Sequence, residues 1–235
     1  MSATQDQEDV VAAIVRRAEE RFQSHRNRLL CSTDRLFAWL MAGEWLFGIV
    51  VALTFSPYAW EGKIHTVHTH VWAAVFLGGA VVSLPVALAL LRPGWVFTRH
   101  AIAAGQMLWS ALLIHLTGGR IETHFHIFGS LGFLAAYRDW PVLLTATAFV
   151  IADHLIRGLL WPESIYGIVN PEWWRFLEHA FWVVFADSIL IVLCIRSLKE
   201  MRLIAERGAE LEALSESEWR KSSVLERDKM EAAVS

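Results

Sequence analysis

Cysteine is nearly absent from this sequence. The 235-residue chain carries two, Cys31 and Cys194, in none of the spacings that hold zinc or build a redox pair. An excess of positive charge is missing too. Lys and Arg number 21 against 24 Asp and Glu, a net charge of −3, so bulk charge offers nothing to nucleic acid. The N-terminal run MSATQDQEDVV lacks the basic-then-apolar pattern of a cleaved signal peptide. What the chain has in quantity is apolar surface. Hydrophobic residues make up 55%, with 12 Trp and 13 Phe, and the mean hydropathy is +0.39. Long apolar runs at this level indicate membrane spans.

The expected fold is all-α, an integral membrane bundle of six transmembrane helices in three regions. Residues 1–35 read as a cytoplasmic amphipathic helix, because Val11, Ile14, Val15, Ala18 and Phe22 recur at helical spacing among arginines. Residues 36–195 hold six apolar segments: Leu36–Phe55, His70–Leu91, Ala101–Leu116, Thr123–Tyr137, Pro141–Leu160 and Phe176–Ile195. Each approaches the roughly 20 residues that cross about 30 Å of hydrocarbon. Residues 196–235 turn polar and helix-forming. Ile204, Leu211 and Leu225 fall at multiples of seven, with Leu214 beside them and Glu218 interrupting the seam, the pattern of a weak coiled coil and a homodimer contact.

Flanking charge sets the orientation. The arginines of the first 35 residues, with Arg92, Arg99, Arg138, Arg196, Lys199 and Arg202, share one side; Lys63, Arg120, Arg157 and Arg175 share the other. The richer side is the cytoplasmic one, so both termini are expected in the cytoplasm of a bacterial inner membrane. Trp39, Trp95 and Trp140 then mark the inner interface, and Trp60, Trp161, Trp173 and Trp174 the outer one.

That topology gathers the histidines. Of ten, all but His25 and His100 fall at the outer ends of the spans or in adjoining loops. The expected metal ligands are His68, His70, His115, Glu122, His124, His126, Asp153, His154, Glu178 and His179. Imidazole with carboxylate and no accompanying thiolate suits zinc, iron, copper(II) or manganese. So many histidines exceed one tetrahedral shell, which leaves open two metals, or one metal with supporting histidines. His124 and His126 sit two apart, so on a helix they face different ways. Haem between two imidazoles is the rival reading, and a hydrogen-bonded cluster without metal is another. Glu44, near the middle of the first span, reads as a carboxyl bonded to a neighbouring helix or as part of a proton or ligand path.

The run HLTGGRIETHFHIFGSLGFLAAYRDW, then DHLIRG and WRFLEHAFWVVF, resembles the N-terminal membrane sensor region of bacterial histidine kinases. Related patterns occur ahead of diguanylate cyclases and chemoreceptor signalling domains. The resemblance covers roughly His68 to Arg207. It implies functional roles for His115, Glu122, His124, His126, Asp139 and His154, with Glu178 and His179 in the longer version. It also implies a non-catalytic input module of a two-component or similar system, passing its state to a cytoplasmic output domain through the last helix. No kinase, cyclase or methyl-accepting sequence follows, so that output is expected in trans or absent. Two other classes are weighed: a b-type electron carrier and a membrane di-metal oxidoreductase.

Overall fold

The structure is a computed structural model that describes residues 2–61 and 64–234; Lys63, counted above with the outer charges, lies outside them. The chain is all-α apart from one hairpin. Helix α1 runs Ser2–Phe55, strands β1 (Tyr58–Glu61) and β2 (Ile64–Val67) pair antiparallel, and α2 (Thr69–Trp72) leads through a π-helical turn at Ala73–Leu77 into α3 (Gly78–Leu91). Then come α4 (Val96–Leu116), α5 (Ile121–Leu134) with a 3-10 turn at Ala135–Tyr137, α6 (Trp140–Leu160), the short α7 (Glu163–Tyr166) and α8 (Arg175–Val234).

Among the described residues, four helices are long and apolar enough to cross a membrane: Gln7–Phe55, Thr69–Leu91, Trp140–Leu160 and Arg175–Ala233. The two remaining expected spans fall short for different reasons. Helix α5 is brief, at 14 residues. Helix α4 has 21 residues but carries Arg99, His100, Gln106, Ser110 and His115. Most of α4 is buried, Arg99, Gln106 and Ser110 included, between α3, α5 and α6. A helix walled by protein need not be apolar, because its polar groups find partners there.

The chain forms two compact units, one of residues 28–195 and the other joining residues 1–27 to 196–235. In the larger unit, Trp109 of α4 is fully buried against two glycines. A Cβ at Gly48 would stand 2.5 Å from its ring and one at Gly78 2.8 Å, so side chains are excluded there by packing. Trp45 Nε1 donates to two carbonyls of the π-helical turn, Ala74 O and Val75 O, each at 3.1 Å.

At the end of this unit opposite the hairpin, the Asp34 carboxylate accepts from Gly94 N at 2.6 Å and from the Tyr137 hydroxyl at 2.7 Å. Arg99 Nε lies 2.5 Å from Asp139 Oδ2. Arg138 between them takes the left-handed conformation, φ 53°, which turns the chain from the 3-10 turn into α6. At the hairpin end, Gly118 and Gly119 close the α4–α5 turn with φ of 70° and 77°. Gly119 abuts the next loop so closely that a Cβ would lie 2.3 Å from Gly167 N.

The smaller unit pairs the start of α1 with the end of α8. Ala18, Phe22, Met201, Ala205 and Ala209 are buried. Arg17 meets Glu216 at 2.9 Å, Arg21 meets Glu212 at 2.6 Å, and the Arg202 guanidinium lies 4.6 Å from the Phe22 ring centre. The expected boundary at residue 35 is not a helix end, since α1 continues through it. Nor does the heptad seam form the buried face of this pairing: Ile204, Leu211, Leu214 and Leu225 are exposed, while Ala205 and Ala209, toward the far side of the helix, are covered.

Candidate metal centre

Three histidines from three helices meet at the hairpin end of the larger unit. His124 stands in the first turns of α5, His154 near the end of α6 and His179 in the first turns of α8. Their ring centroids form a nearly equilateral triangle of 5.7 Å (His124–His154), 5.5 Å (His124–His179) and 5.6 Å (His154–His179). His124 and His154 are buried.

Each ring is held the same way. Nδ1 of His124 donates to Arg120 O at 2.9 Å, Nδ1 of His154 to Val150 O at 3.1 Å, and Nδ1 of His179 to Arg175 O at 3.0 Å. All three bonds run to the carbonyl four residues earlier. A carbonyl oxygen only accepts, so Nδ1 carries the proton and Nε2 keeps its lone pair in the neutral ring. Fixing one ring nitrogen by a backbone carbonyl is how proteins orient a metal-binding imidazole. His124 Nε2 is buried with no hydrogen-bond partner, an arrangement that costs free energy unless something binds there.

The size of the triangle fits that role. Its centre lies about 3.2 Å from each centroid, and a metal about 2.0–2.1 Å from an imidazole nitrogen also sits about 3.2 Å from that ring's centroid. Among the described residues, no group of three or more His, Cys, Asp or Glu already has its donor atoms gathered to hold an ion.

The other expected ligands divide among separate arrangements. His68, His70 and His115 form a second group, with centroids 4.4 Å apart for His68–His70 and 4.9 Å for His70–His115. There His68 Nδ1 accepts the His70 backbone N–H at 3.0 Å, and His115 Nδ1 lies 3.0 Å from Ser164 Oγ. His126 turns away from His124, as their spacing requires, and its Nε2 lies 3.2 Å from Glu44 Oε1. Glu44 is thus bonded to neighbouring helices: Gln106 Nε2 donates to its other oxygen at 2.7 Å, and Ser130 donates to Gln106 Oε1 at 2.9 Å.

Glu122 is exposed and faces Arg120 at 3.5 Å. A backbone hydrogen bond and the Arg120 guanidinium hold its carboxyl below the ordinary range. Asp153 is gripped by Arg157 through both oxygens at 2.7 and 2.6 Å, with His154 Nδ1 at 3.4 Å. Arg157 also donates to Ser164 Oγ at 2.8 Å, so one side chain links the triad's flank to the His115 group. Glu178 borders the same cavity as the triad.

Two residues here lie outside the expected ligand set. Tyr166 of α7 packs its ring 5.3 Å from that of His179, and burial pushes its hydroxyl above the ordinary phenol range. Asp187, inside the sixth apolar run, is buried and hydrogen-bonded by Thr147 of α6, its Oδ1 unpartnered. An aspartate in an apolar run of Phe, Val and Ile is visible to the eye, but only the fold supplies its partner.

The fold and this site define an all-α protein with helices of membrane-crossing length and a cluster of three histidines from three helices, two of them buried. Over 117 residues the chain is 31% identical to Transducer protein Htr8 of Halobacterium salinarum, a match that covers 48% of this chain and 18% of that protein. The chain therefore spans far less than two thirds of its relative. No family model and no solved structure matches it.

Proposed function

We propose that the chain is the membrane input region of a signal-transducing protein, sensing through a transition metal held by His124, His154 and His179. The similarity to a transducer supports the signalling class. One observation carries the metal: three rings on three helices, each with Nδ1 committed to its own helix and Nε2 left over, their centroids 5.5–5.7 Å apart. Three neutral imidazoles suit zinc, iron or copper and leave a fourth position open. Haem fits this spot less well. Its two axial imidazoles stand on opposite sides of the iron with centroids about 6.4 Å apart, and here a third ring occupies the space the macrocycle needs.

In this reading six helices cross the inner membrane with both termini in the cytoplasm, α4 as the inner member and the short α5 at the lipid face. Occupancy, oxidation state or a ligand on the open position shifts α8 relative to α5 and α6. His179 and the C-terminal segment belong to the same helix, which gives the shift a covalent route to a kinase or another output domain. The exposed stripe of Ile204, Leu211 and Leu214 offers a second copy of the chain a surface, so the working form is a homodimer.

Elemental analysis with a visible spectrum on the purified protein tests the reading. About one transition metal per chain is expected, falling severalfold in His124→Ala, His154→Ala and His179→Ala, with no Soret band. Unchanged metal in all three variants removes the triad as the site.

A further inference from the structure

Beside the triad lies a cavity of about 730 Å³ between α5, α6 and the first turns of α8. The three histidines form one wall. Phe125, Phe128, Trp182 and Phe185 supply aromatic surface, and Phe125, Trp182 and Phe185 are 67%, 52% and 52% exposed, so the cavity opens on the outside of the bundle, where lipid would lie. We propose that it takes a lipid-phase phenol or hydroquinone, whose ring packs among these aromatics and whose hydroxyl reaches the triad. The inference rests on the triad being the sensing centre, not on which metal it holds.

Volume, lining and donor logic select this class together. Water or a diatomic gas needs on the order of 30 Å³ and would leave most of the space unfilled. Largely apolar walls with a few polar groups mark a site for an organic ligand, and flat rings pack well against aromatic side chains. The polar end then narrows the head group. With Nδ1–H spent on the backbone, His124 Nε2 is a buried acceptor without a donor. A carboxylate head brings only acceptors and would repel it. An ammonium head would lose its hydration against apolar walls. Among the lining residues Arg175 is paired with Glu172 at 3.0 Å, which leaves the Glu178 carboxylate to disfavour an anionic head further. A neutral ring hydroxyl donates to Nε2 when metal is absent, and its oxygen can occupy the open position when metal is present.

The test uses the full chain in nanodiscs, metal-loaded and metal-stripped, with radiolabelled 4-decylphenol and protein-free nanodiscs as background. Metal content is measured on the same samples. Saturable binding above background is expected in both states, weakened about tenfold by His124→Ala and by Phe128→Ala. Decylbenzene, which lacks the hydroxyl, and decanoate are expected to compete at least about tenfold less well. Equal competition by either overturns the proposal, because the cavity then takes acyl chains without regard to head group. Binding undiminished in both variants places the ligand elsewhere and overturns it as well. Metal without phenol binding removes this inference and leaves the metal reading intact. Phenol binding lost in the variants, on a protein that carries no metal, supports the inference and removes the metal.

Discussion

At the scale of single residues, the two histidines of the His124-Phe125-His126 run serve different structures. His124 joins the triad. His126 joins Glu44, Gln106 and Ser130 in a polar group that ties α1, α4 and α5 together. Removing Glu44 should therefore cost stability without touching the metal. Glu44→Leu strips the partner from Gln106 Nε2, which is buried, and from the half-buried His126 Nε2, and the buried orphan alone costs about 1–3 kcal/mol. Thermal unfolding in nanodiscs should show a clear loss, and Glu44→Gln, which keeps hydrogen-bonding capacity, a smaller one. Metal per chain should stay constant in both. A parallel fall in metal would mean that the Glu44 group and the triad form one site. His126→Ala is expected to leave metal content near the parent level, whereas His179→Ala is not.

At the scale of elements, the α4–α5 turn sets where the triad begins. Gly119 combines a left-handed φ with backbone contact to the Gly167 loop, so Gly119→Ala strains the turn and pushes the two loops apart. A cost of at least about 1–3 kcal/mol is expected, read as a lower unfolding midpoint, with weaker metal retention because Arg120 O anchors His124. An unchanged midpoint and unchanged metal would show that the loops part freely. Part of this arrangement was legible in the sequence. Helical periodicity and apolar run length reveal the helices, and charge bias with histidine position reveals a shared end. Which imidazoles meet is not legible, because it depends on helix rotation. His115 and His154 look equivalent as residues near helix ends, yet α4 turns His115 toward His70 while α6 turns His154 toward His179. The heptad pattern shows a related limit. It identifies apolar stripes on the last helix but not which stripe the chain's own N-terminal segment covers.

At the scale of the whole molecule, the proposed topology and assembly have separate tests. Reporter fusions at residue 95 and at the C-terminus should report cytoplasm, and fusions at residues 62 and 168 the opposite side; a C-terminus on the far side would overturn the orientation. Single cysteines at 204 and 211, in a background lacking Cys31 and Cys194, should form disulfide-linked dimers because both positions are exposed. Their relative yields should change between metal-loaded and stripped protein. Identical yields would keep the dimer and remove transmission through this segment. Absence of cross-links would remove the dimer.

The brevity of α5 has a consequence for the surrounding lipid. With its 3-10 turn it reaches about 27 Å, at about 1.5 and 2.0 Å per residue, against about 30 Å for an average hydrocarbon core. Its neighbour α6, of 21 residues, reaches about 32 Å. Phe125 and Phe133 are exposed on α5, so in the proposed topology lipid touches the short helix directly and must compress beside it. Such hydrophobic mismatch costs a fraction of a kcal/mol per Å, and on this flank the strain bears on the helix that carries His124. Reconstitution in bilayers of 14-, 18- and 22-carbon chains should therefore shift the metal dissociation constant or the 204-to-211 cross-linking ratio steadily with thickness. Constant values across the series would mean that protein, not lipid, sets the depth of the triad.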